Sequence, residues 1–161
     1  MGGLWGALRS IQRFHQDVRG WDDIGYSFVV GSHGYIYQGR GWRWVGAHTK
    51  GYNSEGYGVA YVGDFSTASP DRGTMALVRD ELLPCAVRTG RLHHNYTVRG
   101  HRQVGPTDCP GTALFQEIET WSGFKVVVPD GAGQERHGDR WTPDHPEGPT
   151  RMEPRPEGPQ P

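Results

Sequence analysis

The chain has 161 residues, with 17 basic and 18 acidic side chains and a formal net charge of −1. This near balance provides no general electrostatic attraction for nucleic acid or anionic lipid, which argues against a nucleic-acid-binding protein. Its two cysteines are too few for a disulfide framework, and it lacks the run of about 18 apolar residues that would predict a membrane span.

Composition divides the chain near residue 129. Residues 1–128 carry enough apolar positions for one folded domain, whereas residues 129–161 are rich in Pro, Gly, Glu, Arg and Asp. A segment of the second kind buries too little apolar surface to offset its ordering entropy, so we predict a disordered tail over 129–161. The first residues lack the basic and apolar regions of a signal peptide, so the sequence as given predicts no export signal.

The first half of the chain predicts a helix followed by strands. Apolar residues at steps of three and four over 4–18 predict an amphipathic helix that ends near Gly20. Two short strands around a glycine-containing turn predict a hairpin over 26–39. The segment that follows is rich in glycine and aromatic residues and predicts a loop, and the apolar run 57–65 predicts a buried central strand.

The second half of the chain predicts a helix, a strand and a helix. Ser69 can cap a helix that has Pro70 at its first position, and Gly90 ends that helix. A short strand then leads to His101, and Pro110 opens a last helix. Helices alternating with strands in this way indicate an α/β sheet with helices packed on it.

His101 and Cys109 are the candidate metal ligands. Zinc favours imidazole nitrogen and thiolate sulfur, usually in tetrahedral geometry. A histidine at the end of a strand and a cysteine in the following loop converge if the loop folds back. Their spacing is not that of a zinc finger, so the pair alone favours the simpler interpretation of a buried thiol and a surface histidine.

Motifs over residues 7 to about 125 strengthen the metal interpretation. "DIGYSF", "GRGW", "GAHT", "GHR" and "TDCPG" occur in this order, and the segment resembles the peptidoglycan recognition protein family, most closely its amidase members. The resemblance implies a central mixed β-sheet flanked by helices, as in phage-type amidases. It also implies a secreted protein of innate immunity whose partners are bacterial peptidoglycan and muramyl peptides.

The resemblance assigns roles to four residues near the reaction. It implies that His101 of "GHR" and Cys109 of "TDCPG" hold Zn2+ together with a second histidine. It also implies that Tyr26 lies beside the metal-bound water and Thr107 near the reacting carbonyl. The implied reaction is zinc-dependent hydrolysis of the amide between N-acetylmuramic acid and L-alanine. From the residues alone, Tyr26 equally suits strand packing and Thr107 equally supports a turn.

The family pattern has a part that we do not find in this sequence. The third zinc ligand is expected in a "VVHHT"-like strand before the first helix, and the few residues before that helix contain no histidine. The resemblance therefore implies an N-terminally truncated chain without its first strand, and it leaves Cys85 without its usual partner. The alternative function is a non-catalytic peptidoglycan-binding protein or an inactive fragment. The remaining candidates for the third ligand have no spacing that favours them: His15, His33, His93 and His94.

The segment 39–56 resembles the family's peptidoglycan-binding groove. His48 is expected to bind the stem peptide or the muramic sugar, and Asn53 a carboxylate or amide. Arg40 either shapes the groove wall or forms a structural ion pair, and the Arg43–Trp44 pair matches neither the lysine-type nor the diaminopimelate-type pattern cleanly. The predicted substrate-binding residues are Arg40, Trp42, Arg43, Trp44, His48 and Asn53. Asn95 also fits a glycosylation acceptor, "NYT".

Overall fold

The computed structural model of this protein describes residues 3–127 and 151–155. Its centre is a three-stranded sheet in the order β2-β1-β3. Strand β1 (Phe28–Gly31) pairs antiparallel with β2 (Tyr35–Gln38) and parallel with β3 (Val59–Tyr61). The predicted mixed sheet is therefore confirmed. Most of the predicted tail, residues 129–150 and 156–161, lies outside the described residues.

The hairpin β1–β2 forms where the sequence predicts it. Its turn contains Gly34 at φ 78°, in the left-handed region that favours glycine. In contrast, the run 57–65 yields only three strand residues, which are half-buried and at the edge of the described sheet. Strand β1 is the central strand instead, because its buried residues pair on both sides.

Alternate residues of β1 face two different cores. Val29 packs with Leu8 and Ile24 beneath helix α1 (Leu4–Arg13), which continues as a π-helical turn over Phe14–Val18. Val30 points into the larger core on the opposite face. This alternation follows from the two-residue period of a strand, and it confirms a sheet flanked by helices. The buried members of the larger core are Val30, Met75, Val78, Leu114, Ile118 and Trp121.

The larger core is formed by the helices of the second half. These are α2 (Arg72–Ala76), α3 (Leu83–Arg88) and α4 (Thr112–Glu119), with a π-helical turn at Leu77–Leu82 between the first two. No helix in the described part of the chain is long and apolar enough to cross a membrane.

Two boundaries in this half differ from the sequence predictions. The cap of α2 is Asp71 rather than Ser69, because the Asp71 carboxylate accepts the Thr74 backbone N–H at 3.0 Å and the Thr74 hydroxyl at 2.6 Å. Such an ionised acceptor suits the first turn of a helix. The strand expected before His101 is reduced to a single bridge between Val98 and Phe124.

The larger core provides a test of the packing. Met75 is 2% exposed at its centre, so Met75→Ala should lower the free energy of unfolding by about 2–5 kcal/mol through lost burial and the cavity left behind. Val126 is 74% exposed, so Val126→Ala should stay within about 0.5 kcal/mol of the parent. Urea unfolding of both variants measures the difference, and equal effects would contradict this assignment of the core.

Candidate functional site

The two candidate ligands His101 and Cys109 lie on one folded-back turn. His101 begins a 3-10 turn, His101–Gln103, and the next backbone N–H, that of Arg102, donates to the Cys109 carbonyl at 2.8 Å. The loop between the two ligands therefore closes, as the sequence prediction required. Gly100 permits close packing behind this turn, since a Cβ there would lie 2.5 Å from the Phe115 ring.

The cysteine end of this turn is held by local hydrogen bonds. The Thr107 hydroxyl accepts the Cys109 backbone N–H at 3.1 Å, and the Arg102 guanidinium donates to the Asp108 carbonyl at 2.5 Å. Cys109 is exposed, yet neighbouring protein atoms partly desolvate its thiol and raise its pKa, with Arg102 opposing that shift. Thr107 therefore supports the turn, and this bond leaves the hydrogen of its hydroxyl available for a ligand.

Tyr26 lies beside the same turn. It lies two residues before the start of β1. Its ring is half-buried, with its centroid 5.7 Å from that of His15. Burial raises the pKa of the Tyr26 phenol, and the nearby Cys109 thiol adds to the rise. The structure thus brings Tyr26, Thr107, His101 and Cys109 into one region.

These residues do not complete a zinc site. An imidazole and a thiol are suitable donors, but catalytic zinc normally has three protein ligands. Within residues 3–127 and 151–155, no group of three His, Cys, Asp or Glu side chains could hold a metal ion. His15 is buried, and its Nδ1 accepts the Gly25 backbone N–H at 3.1 Å. His33, His93 and His94 are exposed on other loops, and Cys85 is a free, exposed thiol.

His48 lies in the loop that joins β2 to β3, with its ring between two glycines. A Cβ at Gly46 or at Gly58 would lie 2.4 Å from the His48 ring, so both positions require the absence of a side chain. Nδ1 lies 3.0 Å from the Thr49 hydroxyl, whereas Nε2 is buried without a hydrogen-bond partner. Burial lowers the pKa of His48 to about 4, with further lowering by the charges of Arg155 and His101.

Asn53 fixes the conformation of this loop. Its side-chain oxygen accepts the backbone N–H groups of both His48 and Thr49 at 2.8 Å. This double acceptance ties residues 48 and 49 to residue 53 within the loop. The residue that the sequence predicted to contact a ligand therefore positions His48, and these bonds do not use its amide nitrogen.

Arg40 supports the surrounding backbone from inside the protein. The side chain is 2% exposed, and its guanidinium donates to the carbonyls of Ile24 and Val45 at 3.0 Å and of Asp23 at 3.4 Å. Burial lowers the pKa of Arg40, while Asp23 and Asp22 oppose that shift. A guanidinium so enclosed is not accessible to a ligand, so a structural role fits its environment better than a role in ligand binding.

The three aromatic and basic residues after Arg40 differ in exposure. Trp42 is half-buried, with its ring centroid 4.3 Å from that of Phe28 and 5.0 Å from that of Tyr57. Arg43 and Trp44 are exposed, Trp44 to 39%. Trp42 thus packs between the sheet and Tyr57, whereas Arg43 and Trp44 are accessible to solvent.

The sequence analysis missed one component of this region, residues 151–155. Although they fall within the predicted disordered tail, they pair with the backbone of residues 43–45, and Arg155 stacks on Tyr57 at 4.1 Å. No apolar periodicity marks so short a segment. Its proline and charged residues match the composition of the rest of the tail.

Comparison with known proteins gives one family and several relatives. The family model described as "N-acetylmuramoyl-L-alanine amidase" matches residues 5–112. The chain is 60% identical over 120 residues to the N-acetylmuramoyl-L-alanine amidase of Mus musculus, covering 74% of this chain and 23% of that protein. It is 42% identical over 119 residues to peptidoglycan-recognition protein SC2 of Drosophila melanogaster, covering 74% and 64%. The chain thus spans about a quarter of the mouse relative.

Solved structures agree with this fold. Drosophila PGRP-LB superposes with a TM-score of 0.74 at 41% identity, covering 76% of this chain and 72% of that chain. Human PGRP-IβC, solved in complex with glycosamyl muramyl pentapeptide, gives a TM-score of 0.71 at 39% identity, covering 74% and 72%.

Titration of His48 provides a test of its environment. Since its pKa in the folded chain is about 4, against an ordinary histidine value of 6.5, the unfolded chain binds more protons between these pH values. The free energy of unfolding should therefore fall as the pH drops from 6.5 to 4, by up to about 3 kcal/mol from this group. Urea unfolding across this range measures the effect.

The control for this titration is His48→Gln. The quantity to compare is the slope of the free energy of unfolding against pH, rather than the stability at any one pH. The variant should retain only the part of the pH dependence that comes from other groups, including His15, whose pKa is also lowered by burial. Identical slopes for parent and variant would contradict a buried, neutral His48.

Loss of the Asn53 acceptor should loosen the same loop. Asn53→Ala leaves two backbone N–H groups without their partner, so hydrogen exchange of the His48 and Thr49 amides should accelerate about tenfold. Ser54→Ala, at an exposed neighbouring position, is the matched control and should leave both rates unchanged. Unchanged exchange in Asn53→Ala would contradict the positioning role.

Proposed function

Because the chain belongs to the N-acetylmuramoyl-L-alanine amidase family, we propose that it binds muramyl peptides of bacterial peptidoglycan. The proposed groove lies between the loop of His48 and the turn that carries His101 and Cys109. One observation supports it above the others: Arg99, two residues before His101, has its Cζ 5.6 Å from the ring centroid of Tyr52 in the loop of His48, so the loop and the turn are neighbours. The complex of human PGRP-IβC with glycosamyl muramyl pentapeptide supports the same chemistry.

The bond that this groove presents for hydrolysis is the amide between N-acetylmuramic acid and L-alanine. Attack of water on that carbonyl creates a negatively charged oxygen, which needs hydrogen-bond donors. The Tyr26 phenol has a raised pKa and stays protonated at neutral pH, so it can donate to this oxygen. Thr107 can donate its hydroxyl hydrogen from the adjacent turn.

Zinc dependence does not fit the described residues alone. His101 and Cys109 are two suitable donors, and the described part of the chain offers no third. We therefore derive no metal-dependent step for this chain. The observation also supports a second candidate function, a peptidoglycan receptor that binds without cleaving. For either function we propose an extracellular role in defence against bacteria.

Binding and cleavage can be separated with one set of measurements. Calorimetry with muramyl tripeptide should detect binding to the full chain, and His48→Ala should weaken it about tenfold, the equivalent of one lost hydrogen bond. His33→Ala, at an exposed turn, should leave the affinity unchanged. If the parent chain does not bind muramyl tripeptide, the proposed function is wrong.

Release of stem peptide from purified peptidoglycan, followed by mass spectrometry with and without added Zn2+, decides between the two candidates. Cleavage that Cys109→Ser abolishes and Cys85→Ala leaves intact supports the amidase, because both positions carry free, exposed thiols. Binding without release under either condition supports the receptor. Metal analysis of the same samples reports whether the chain retains zinc.

A further inference from the structure

Residues 151–155 pair in antiparallel fashion with the edge of the loop 39–58 between β2 and β3, which we call the recognition loop after its proposed role. The Val45 backbone N–H donates to the Glu153 carbonyl and the Arg155 backbone N–H donates to the Arg43 carbonyl, both at 2.8 Å. The residues between these bonds, Trp44 and Pro154, face each other across the bridge. That is the non-hydrogen-bonded position of an antiparallel pair, where a proline loses no ladder bond.

Side-chain and backbone contacts anchor both ends of this segment. At one end, the Met152 backbone N–H donates to the Asp22 carboxylate at 2.6 Å. At the other, the Arg155 guanidinium donates to the carbonyls of Ser54 at 3.1 Å and Gly56 at 2.5 Å. Its Cζ also lies 4.1 Å from the centroid of the Tyr57 ring, a cation–π contact.

Arg155 binds the loop that encloses His48. The Gly56 carbonyl that Arg155 binds belongs to the loop that encloses the His48 ring, between Asn53 and Gly58. Nε2 of His48 is buried against Gly46 and has no hydrogen-bond partner. An imidazole that is to bind a muramyl peptide must expose this atom, so the loop as observed is closed to a ligand at His48.

We propose that residues 151–155 form an intramolecular strap that occupies the edge of the recognition loop and competes with muramyl peptide for the surface around His48. This inference rests on the proposed function. The strap offers an extended backbone to the edge of residues 43–45, as an extended peptide ligand does in β-strand addition. A stem peptide presents the same amide donors and acceptors, so both cannot occupy the edge together.

The strap makes few contacts with the loop edge, so a ligand can displace it. It consists of five described residues with two backbone bonds to the loop edge, and Glu153 and Pro154 are exposed. Burial lowers the pKa of His48, and the positive charge of Arg155 lowers it further, so the imidazole is neutral in this arrangement. When only the open fraction binds ligand, the apparent dissociation constant rises by the inverse of that fraction.

The test compares Arg155→Ala with Arg151→Ala in the full chain. Arg151 is exposed on the same segment and carries the same charge, so its substitution controls for net charge. Arg155→Ala removes the bonds to Ser54 and Gly56 and the contact with Tyr57. We expect muramyl tripeptide to bind Arg155→Ala about tenfold more tightly than the parent, and Arg151→Ala within about twofold of it.

Hydrogen exchange of the Val45 amide reports on the strap without any ligand. This N–H donates to Glu153, so it should be protected in the parent and in Arg151→Ala, and should exchange faster in Arg155→Ala. An unprotected Val45 amide in the parent overturns the strap. Faster exchange without tighter binding overturns the competition. If no variant binds muramyl tripeptide, the proposed function fails, while the exchange result still decides whether the strap is docked.

Discussion

The guanidinium of Arg40 connects the two halves of the candidate site. It reaches the carbonyls of Asp23 and Ile24, which precede Tyr26, and the carbonyl of Val45, which precedes His48. Burying a charged group is costly unless its donors are satisfied, and a guanidinium carries five N–H donors in a fixed geometry. The same junction is closed by the Ala47 N–H, which donates to the Gly25 carbonyl at 2.8 Å. These interior bonds therefore fix the segment that carries the phenol relative to the segment that carries the imidazole.

The sequence predicted the parts of the fold that depend on local periodicity. The amphipathic helix α1 and the hairpin β1–β2 form as expected, because their apolar spacing and turn glycine act over a few residues. The run 57–65 misled the prediction because apolar composition does not distinguish a central strand from an edge strand that helices partly cover. The cap at Asp71 was missed because Ser69 and Pro70 also form a favourable helix start, and only the bonds to Thr74 distinguish the two.

For the candidate site, the sequence predicted which residues come together but not what each of them does. Motif resemblance located His101, Cys109, Tyr26 and Thr107, which the structure gathers into one region. Periodicity alone gave no reason to join them. The roles of Arg40 and Asn53 were not predictable, since a polar residue in a glycine-rich loop serves either a ligand or the backbone. The hydrogen bonds in the structure decide between these roles. Arg40 donates to backbone carbonyls, and Asn53 accepts the His48 and Thr49 amides, so both side chains stabilise the loop.

The proposed recognition loop and the turn with the two candidate metal ligands differ in how complete they are among the described residues. The loop around His48 has its internal acceptor in Asn53, its glycine clearances and its buried anchor in Arg40. The turn at His101 and Cys109 has its backbone closed but offers two metal donors among the described residues. The proposed binding draws on this loop, whereas metal-assisted hydrolysis needs a third ligand. The proposed strap, residues 151–155, therefore acts on the part of the proposed site that is complete among the described residues, the loop around His48.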